Sequence, residues 1–247
     1  MKRRNRPLAF LLALTLVASS LLLTSCEDGT KIENIDGKAP AEVYSEALAV
    51  LEEERNYEIE IDMEFDVKII GIPVYGVDID DFCVYAYDGE NEYYKLSENA
   101  EPTLAEYGME KIVSKSDDAV WYVDGICYVE KDGEKRQFEA AKSPLKRSKY
   151  ESAITEVVEE NLGTVQCYTD GERNYFVVEI EDTASMKLGM GAEKETYTVY
   201  LTADGKLDEI VVECKVKTVG VINLDVDYSY GEAKIDPPSD AEEYKAS

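Results

Sequence analysis

The chain has 247 residues, with 53 acidic and 26 basic side chains, no histidine, and a formal net charge of −27. A surface this acidic repels phosphate backbones, so nucleic-acid binding is excluded. Without histidine, catalytic triads with an imidazole base and imidazole-containing zinc sites are excluded as well. Hydrophobic residues make up 45% of the chain, which is enough for a packed core.

The first residues form an export signal. A basic start, Met1–Arg6, precedes the apolar run Leu8–Leu23, which is too short for a typical membrane span and suits a signal peptide. Leu23-Thr24-Ser25-Cys26 then resembles the bacterial lipobox. The resemblance implies cleavage between Ser25 and Cys26 and lipidation of the Cys26 thiol. An incidental cysteine behind an ordinary signal anchor is the alternative.

Lipidation predicts a protein anchored outside the cytoplasm on the bacterial cell membrane, with two or more acyl chains giving stable attachment. Removal of residues 1–25 leaves 22 basic and 53 acidic residues, a net charge of −31. An anionic leaflet repels such a body, so the lipid rather than surface charge is expected to hold it. We expect a monomer.

Cysteine spacing bears on metal binding and on disulfides. Four cysteines remain after Cys26, about 40–47 residues apart and without a CxxC pair, which argues against zinc or iron–sulfur sites. An extracytoplasmic address permits disulfides, whereas buried thiols are the alternative. We predict no metal and no cofactor. The four residues are Cys83, Cys127, Cys167 and Cys214.

The mature chain begins with a polar stretch, residues 26–39, which we interpret as a tether. Ala39-Pro40 then opens an amphipathic helix, and Tyr57–Ile69 alternates strictly between apolar and charged residues, which predicts a long strand with one wet face. The helix stripe consists of Val43, Tyr44, Ala47, Leu48 and Leu51.

Hairpin and helix signals follow. Five Asp-Gly pairs, which favour tight hairpins, lie between β-rich runs and predict an antiparallel meander. Ser143 and Pro144 predict the start of a second helix that ends before Gly163, and residues 102–113 predict a short third one. The order helix-then-strands over 40–140 and 143–235 suggests an internal duplication. The pairs begin at Asp88, Asp124, Asp132, Asp170 and Asp204.

Residues 40–240 resemble the LolA/LppX-like superfamily of lipoprotein and lipid carriers. The resemblance rests on the lipobox, the early helix, the long strands, the run Trp121–Gly125, and the closing Tyr230-Gly231 and Pro237-Pro238. It implies an α+β, mainly β fold: one large curved antiparallel sheet, an unclosed barrel, with two or three helices covering one face. It also implies that acyl chains are held on the apolar face. It implies no catalytic residues, and residues 241–247 form a tail.

Two groups of apolar residues are candidates for lining a ligand. The alternating side of the long strand supplies the first group, and the segment 182–194, rich in methionine and glycine, supplies an adaptable lip or, alternatively, a strand end in the core. The candidates are Ile59, Ile61, Met63, Phe65, Val67, Met186, Leu188 and Met190.

Other functional classes rest on weaker patterns. The carboxylates that alternate along Glu58–Asp66 favour a solvated outer face over a calcium site, because one strand cannot bring them within coordination distance. Tyrosines around Trp121 leave open a surface module for wall polysaccharide or a protein partner. An acid-pair hydrolase is the third alternative. We therefore predict a non-enzymatic, lipid-anchored protein that binds an apolar ligand such as a lipid.

Overall fold

The computed structural model describes residues 29–69, 72–106, 117–145, 149–162, 165–181, 193–216 and 220–246. Within these residues the fold is α+β, mainly β: thirteen strands form one curved, unclosed sheet accompanied by three α-helices. Neighbouring strands are antiparallel except for the last pair. The predicted fold class is therefore confirmed.

The sheet is built from the following strands: β1 (Thr30–Ile32), β2 (Tyr57–Ile69), β3 (Ile72–Tyr87), β4 (Glu92–Leu96), β5 (Ala119–Val123), β6 (Ile126–Lys131), β7 (Glu134–Glu139), β8 (Gln166–Thr169), β9 (Asn174–Glu181), β10 (Lys194–Leu201), β11 (Leu207–Val216), β12 (Gly220–Tyr230) and β13 (Lys245–Ala246). The helices are α1 (Pro40–Glu53), α2 (Ala100–Glu106) and α3 (Lys149–Glu160), and a short 3-10 helix spans Ala241–Glu243.

The strand order shows how two meanders join. It runs β1-β8-β9-β10-β11-β12-β2-β3-β4-β5-β6-β7-β13, so the later meander stands beside the earlier one. The junction is the long pairing of β12 with β2, in which Tyr230 lies opposite Tyr57 and Gly220 lies opposite Val67. Local hairpins explain the order within each meander, whereas this junction is a contact between distant parts of the chain.

Strand β2 has the predicted bounds and lies next to β12 and β3 in the interior of the sheet. Its inward residues Ile59, Ile61, Met63 and Phe65 are 0–3% exposed and belong to the main core. Because successive side chains of a strand point to opposite faces, the acids between them lie on the outer face. The interpretation of these acids as an outer face is consistent with this register.

The Asp-Gly pairs form the predicted turns. Two-residue hairpins join β5 to β6 and β6 to β7, and at both turns the aspartate and the glycine have positive φ, for example 52° at Asp124 and 80° at Gly125. That pair of angles defines the type I′ turn, whose twist matches the twist of the flanking strands. The glycines of the other three pairs also have positive φ and lie in the loops after β3, β8 and β10.

The helices depart from the sequence prediction at their ends. Helix α1 begins at Pro40 as predicted, and α2 begins at Ala100, two residues before its predicted start. Ser143 does not cap a helix: its Oγ accepts a hydrogen bond from the Leu145 amide at 3.0 Å, and the described α3 begins at Lys149. A serine bonded two residues ahead forms a local turn that competes with capping. Residues 107–113 and Gly163 lie outside the described residues.

Short strands are paired on both sides of the predicted domain, residues 40–240. Thr30–Ile32, in the predicted tether, pair with Cys167–Thr169 of β8, and Lys245–Ala246, in the predicted tail, form β13 and pair with β7. Exposed sheet edges carry unpaired amides and carbonyls, and these short strands satisfy some of them. Ile35 and Tyr244 are only 4% and 3% exposed, so each of these segments also packs a buried side chain against the rest of the domain.

The four cysteines after Cys26 are buried thiols in four different strands, so the structure supports the thiol alternative over disulfides. Burial raises the pKa of the Cys127 thiol to about 11, which keeps it protonated and unreactive at neutral pH. Within the part of the chain that the structure describes, no helix has the length and apolarity needed to cross a membrane.

Candidate ligand-binding site

The sheet register assembles inward side chains from five strands into two rows. We call them the Met63 row and the Phe65 row after their β2 members. The Met63 row contains Val178, Tyr197, Val212, Leu224 and Met63. The Phe65 row contains Ile180, Glu195, Cys214, Ile222 and Phe65. Apart from half-buried Ile180, every member is at most 3% exposed.

Helices α1 and α3 lie over the inner face of the sheet. Tyr44 of α1 is fully buried, its hydroxyl donates a hydrogen bond to the Thr155 carbonyl of α3 at 3.2 Å, and its ring meets Phe176 of β9 edge-on at 5.7 Å. One side chain therefore links both helices to the sheet. Ile154 and Val158 of α3 are also fully buried in the same core.

The structure brings together part of the predicted lining. Ile59, Ile61, Met63 and Phe65 are buried on the inner face, and Val67 lies in β2 opposite Gly220. The remaining candidates lie outside the described residues, as do Ser25 and Cys26 of the lipobox. These remaining candidates are Met186, Leu188 and Met190.

Chain connectivity nevertheless relates the methionine-rich segment to the Phe65 row. Glu181, the last residue of β9, lies opposite Lys194, the first residue of β10, and residues 182–193 join these two strands in the sequence. Glu195 of the Phe65 row follows one residue after Lys194. Strand β2 ends at the same end of the sheet. Gly220 of β12 pairs with both Val67 of β2 and Val216 of β11, and Lys215 next to Val216 pairs with Lys194.

Sequence reasoning missed a buried carboxyl group in the Phe65 row. Glu195 is 1% exposed, and its Oε2 accepts a hydrogen bond of 2.6 Å from the Tyr197 hydroxyl. Its Oε1 is buried and has no hydrogen-bond partner in the described structure. Burial, followed by the hydrogen bond to Glu195, raises the pKa of Tyr197. Burial and the charge of Glu195 raise the pKa of Cys214 to about 12.

A second buried carboxyl group belongs to α3. Glu151 is fully buried, and its Oε1 accepts a hydrogen bond of 3.3 Å from the Tyr228 hydroxyl of β12. Burial, with the charge of Glu151, raises the pKa of Tyr228 well above its usual value. Sequence spacing could have revealed that both acids face the core. Glu151 lies three residues before Ile154, on the same face of a helix, and Glu195 lies two residues before Tyr197, on the same face of a strand.

The outer face of the same strands is strongly acidic. Asp225 lies opposite Asp62, and Asp227 lies opposite Glu60. Partial burial, followed by repulsion from neighbouring carboxylates, raises the pKa of Asp225, Asp227 and Glu60. Among the residues that the structure describes, no group of three or more acids or cysteines is arranged to hold a metal ion.

Replacing Asp225 with asparagine is expected to stabilise the protein at pH 7 by about 0.5 kcal/mol, since like charges directly opposite each other destabilise a sheet. The folded-state pKa of Asp225 is raised, so the destabilisation is present at neutral pH and is lost as the pH falls and the group is protonated. Thermal unfolding at pH 7 and at about pH 3 measures both effects.

The control for this substitution is Asp236→Asn, because exposed Asp236 forms an ion pair with Lys234 at 2.8 Å. We expect no gain in stability from the control at pH 7. A gain in the Asp225 variant that stays unchanged at low pH contradicts the electrostatic explanation.

The tyrosine-rich region divides between the two faces. Tyr85 and Tyr94 belong to the main core, whereas Tyr93 and Trp121 pack together on the outer face with ring centroids 5.3 Å apart. Tyr244 meets Trp121 edge-on at 6.4 Å, so the C-terminal segment of the chain lies against these rings. These rings therefore form a half-buried aromatic cluster on the outer face, and the alternative of a surface module for wall polysaccharide or a protein partner stays a prediction.

A cleft beside α2 is lined by several acids, and a pair of acids in a cleft is what the hydrolase alternative requires. Glu98, Glu101, Asp118 and Glu130 contribute to its lining. Glu98 and Glu101 are exposed, Glu130 pairs with Lys135 at 3.5 Å, and Asp118 accepts a hydrogen bond from the Asp132 amide at 2.7 Å. A general acid needs a desolvated carboxyl group, and these carboxylates instead face solvent or support a turn and an ion pair.

Twenty chains of solved structures match this chain, and three of them are described below. LprF from Mycobacterium bovis has 11% identity and a TM-score of 0.37, over 81% of this chain and 95% of that one. The lipoprotein LppX from Mycobacterium tuberculosis has 11% identity and a TM-score of 0.35, over 79% and 97%. A LolA-superfamily protein from Nitrosomonas europaea has 10% identity and a TM-score of 0.28, over 80% and 96%. No family model and no curated protein matches the sequence.

Proposed function

We propose that this protein is a lipid-anchored extracytoplasmic binding protein that holds an apolar ligand, such as a lipid, between the inner face of its sheet and its helices. The proposal includes no catalysis. Binding needs an apolar surface that is not filled by the protein's own helices, together with a route by which the ligand reaches it.

The observation that carries the proposal is a mismatch in size. Strand β2 has 13 residues and spans about 40 Å. Helices α1 and α3 have 14 and 12 residues, so their lengths are only about 21 Å and 18 Å. Strand β2 is thus about twice as long as either described helix. The Phe65 row stands two rows beyond Phe176, which contacts α1.

The predicted lipobox supports an extracytoplasmic location at the membrane surface. Lipidation of Cys26 would keep the ligand site close to a bilayer, which is the main store of apolar ligands outside the cytoplasm. The segment 182–192, with Met186, Leu188 and Met190, lies in the sequence between β9 and β10, two strands that contribute to the Phe65 row. We propose that these apolar side chains adapt to the ligand, as methionine side chains readily do.

Native mass spectrometry of the mature chain carrying Cys26→Ser tests the binding proposal, because this variant has no acyl chains of its own. We expect an adduct of several hundred daltons that disappears after extraction with organic solvent. Phe65→Trp, which adds volume on the inner face, should lower adduct occupancy, whereas Glu64→Gln on the outer face should leave it unchanged. A bare chain that also takes up no lipid from phospholipid vesicles would disprove the proposal.

A further inference from the structure

The most unusual side chain on the inner face is Glu195. It is a carboxyl group at 1% exposure in a row whose other members are isoleucine, cysteine and phenylalanine. A buried polar atom without a partner costs free energy, roughly 1–3 kcal/mol for a neutral group and more for a charged one. A residue with this cost is expected to perform a role that a leucine could not.

The two carboxyl oxygens of Glu195 have different surroundings. Oε2 is occupied by the Tyr197 hydroxyl at 2.6 Å, which orients the carboxyl group within the sheet. Oε1 is buried and has no partner in the described structure, so it offers one acceptor position. Phe65 stands three strands away in the same row, at about 14 Å, so a polar position and an apolar surface share one row.

We propose that Glu195 Oε1 accepts a hydrogen bond from the polar head of an amphiphilic ligand whose apolar chain lies along the Met63 and Phe65 rows. The ligand class is therefore an amphiphile with a hydrogen-bond donor in its head, either a hydroxyl or an ammonium group. This inference rests on the proposed function and defines its ligand class. A carboxylate or a phosphodiester head offers no donor, so it does not fit this position.

The test compares three probes that share a fourteen-carbon chain: tetradecanol, tetradecylamine and tetradecyl methyl ether. Each is titrated into the delipidated mature chain carrying Cys26→Ser, and binding is followed by native mass spectrometry. We expect the alcohol or the amine to bind roughly tenfold more tightly than the ether, as one buried hydrogen bond predicts. The alcohol and amine arms distinguish a hydroxyl head from an ammonium head.

Two variants of Glu195 separate recognition from folding. Glu195→Gln keeps an acceptor oxygen, so it should retain the preference for alcohol over ether and weaken binding of the amine. Glu195→Leu should abolish the preference without weakening ether binding, and circular dichroism of the ligand-free protein checks that this variant, in which the buried Tyr197 hydroxyl loses its acceptor, is folded. Glu213→Leu, beside Cys214 on the opposite face, is the matched control and should keep the preference.

The outcomes distinguish the two proposals. If the parent chain binds alcohol, amine and ether equally, the role of Glu195 is wrong while apolar binding stands. If none of the probes binds, both proposals are wrong. If the Leu variant fails to fold, the Gln variant still decides, because an unaltered affinity for the amine in that variant contradicts a carboxylate partner.

Discussion

Replacing Tyr44 with alanine is expected to lower the free energy of unfolding by about 3–5 kcal/mol, the range for removing a large buried aromatic side chain. Tyr44 is fully buried, contacts Phe176 edge-on and donates a hydrogen bond to Thr155. Its loss leaves a cavity where α1, α3 and β9 meet and leaves the Thr155 carbonyl without this donor. Urea unfolding followed by circular dichroism measures the change.

The control is Tyr44→Phe, which keeps the ring and removes only the hydroxyl. We expect this variant to lose about 1 kcal/mol, the usual value of one hydrogen bond. Equal losses in the two variants would show that ring packing does not hold the helices on the sheet. A small loss in both would mean that α1 contributes little to the core.

Replacing Cys26 with serine is expected to move the protein from the membrane fraction to the soluble extracytoplasmic fraction. The predicted anchor depends on the Cys26 thiol. The chain that remains after removal of residues 1–25 has a net charge of −31, so an anionic bilayer repels it. Fractionation of cells after metabolic labelling with an alkyne fatty acid measures both location and lipid attachment.

The control for this experiment is Cys127→Ala, which removes a buried thiol and should keep both the label and the membrane location. Label that persists in the Cys26→Ser chain would contradict lipidation at this position. Loss of the label without release from the membrane would instead show that another part of the chain binds the bilayer.

The elements that the sequence predicted well are those in which neighbouring residues carry the whole signal. The alternation in Tyr57–Ile69 predicted β2 to the residue, and the Asp-Gly pairs predicted the hairpins. Contacts between distant segments escaped prediction. Neither the pairing of β12 with β2 nor the docking of β1 on β8 has a local signature, because each depends on which sheet edge is left unpaired.

In the candidate site, the sequence indicated the apolar residues of β2 and did not indicate the two buried acids. Four apolar members of β2 share the inner face, because period-two alternation fixes the side of the sheet, and their role in lining a ligand stays a prediction. Glu195 and Glu151 were overlooked because in a chain with 53 acidic residues an acid is ordinarily assigned to solvent. Extending the alternation from Leu201 back through Tyr197 would have placed Glu195 inside.

The docking of β1 determines how the domain would stand on a membrane. An added Cβ at Gly29 would lie 2.0 Å from the Tyr175 hydroxyl, so the chain is already pressed against the sheet one residue before β1. Only Glu27 and Asp28 then separate the body from Cys26, a reach of about 11 Å. That is close to the screening length of about 8 Å at physiological ionic strength. The predicted lipid on Cys26 would therefore hold the β1 edge, which is at the other end of the strand order from β13, close to the headgroups.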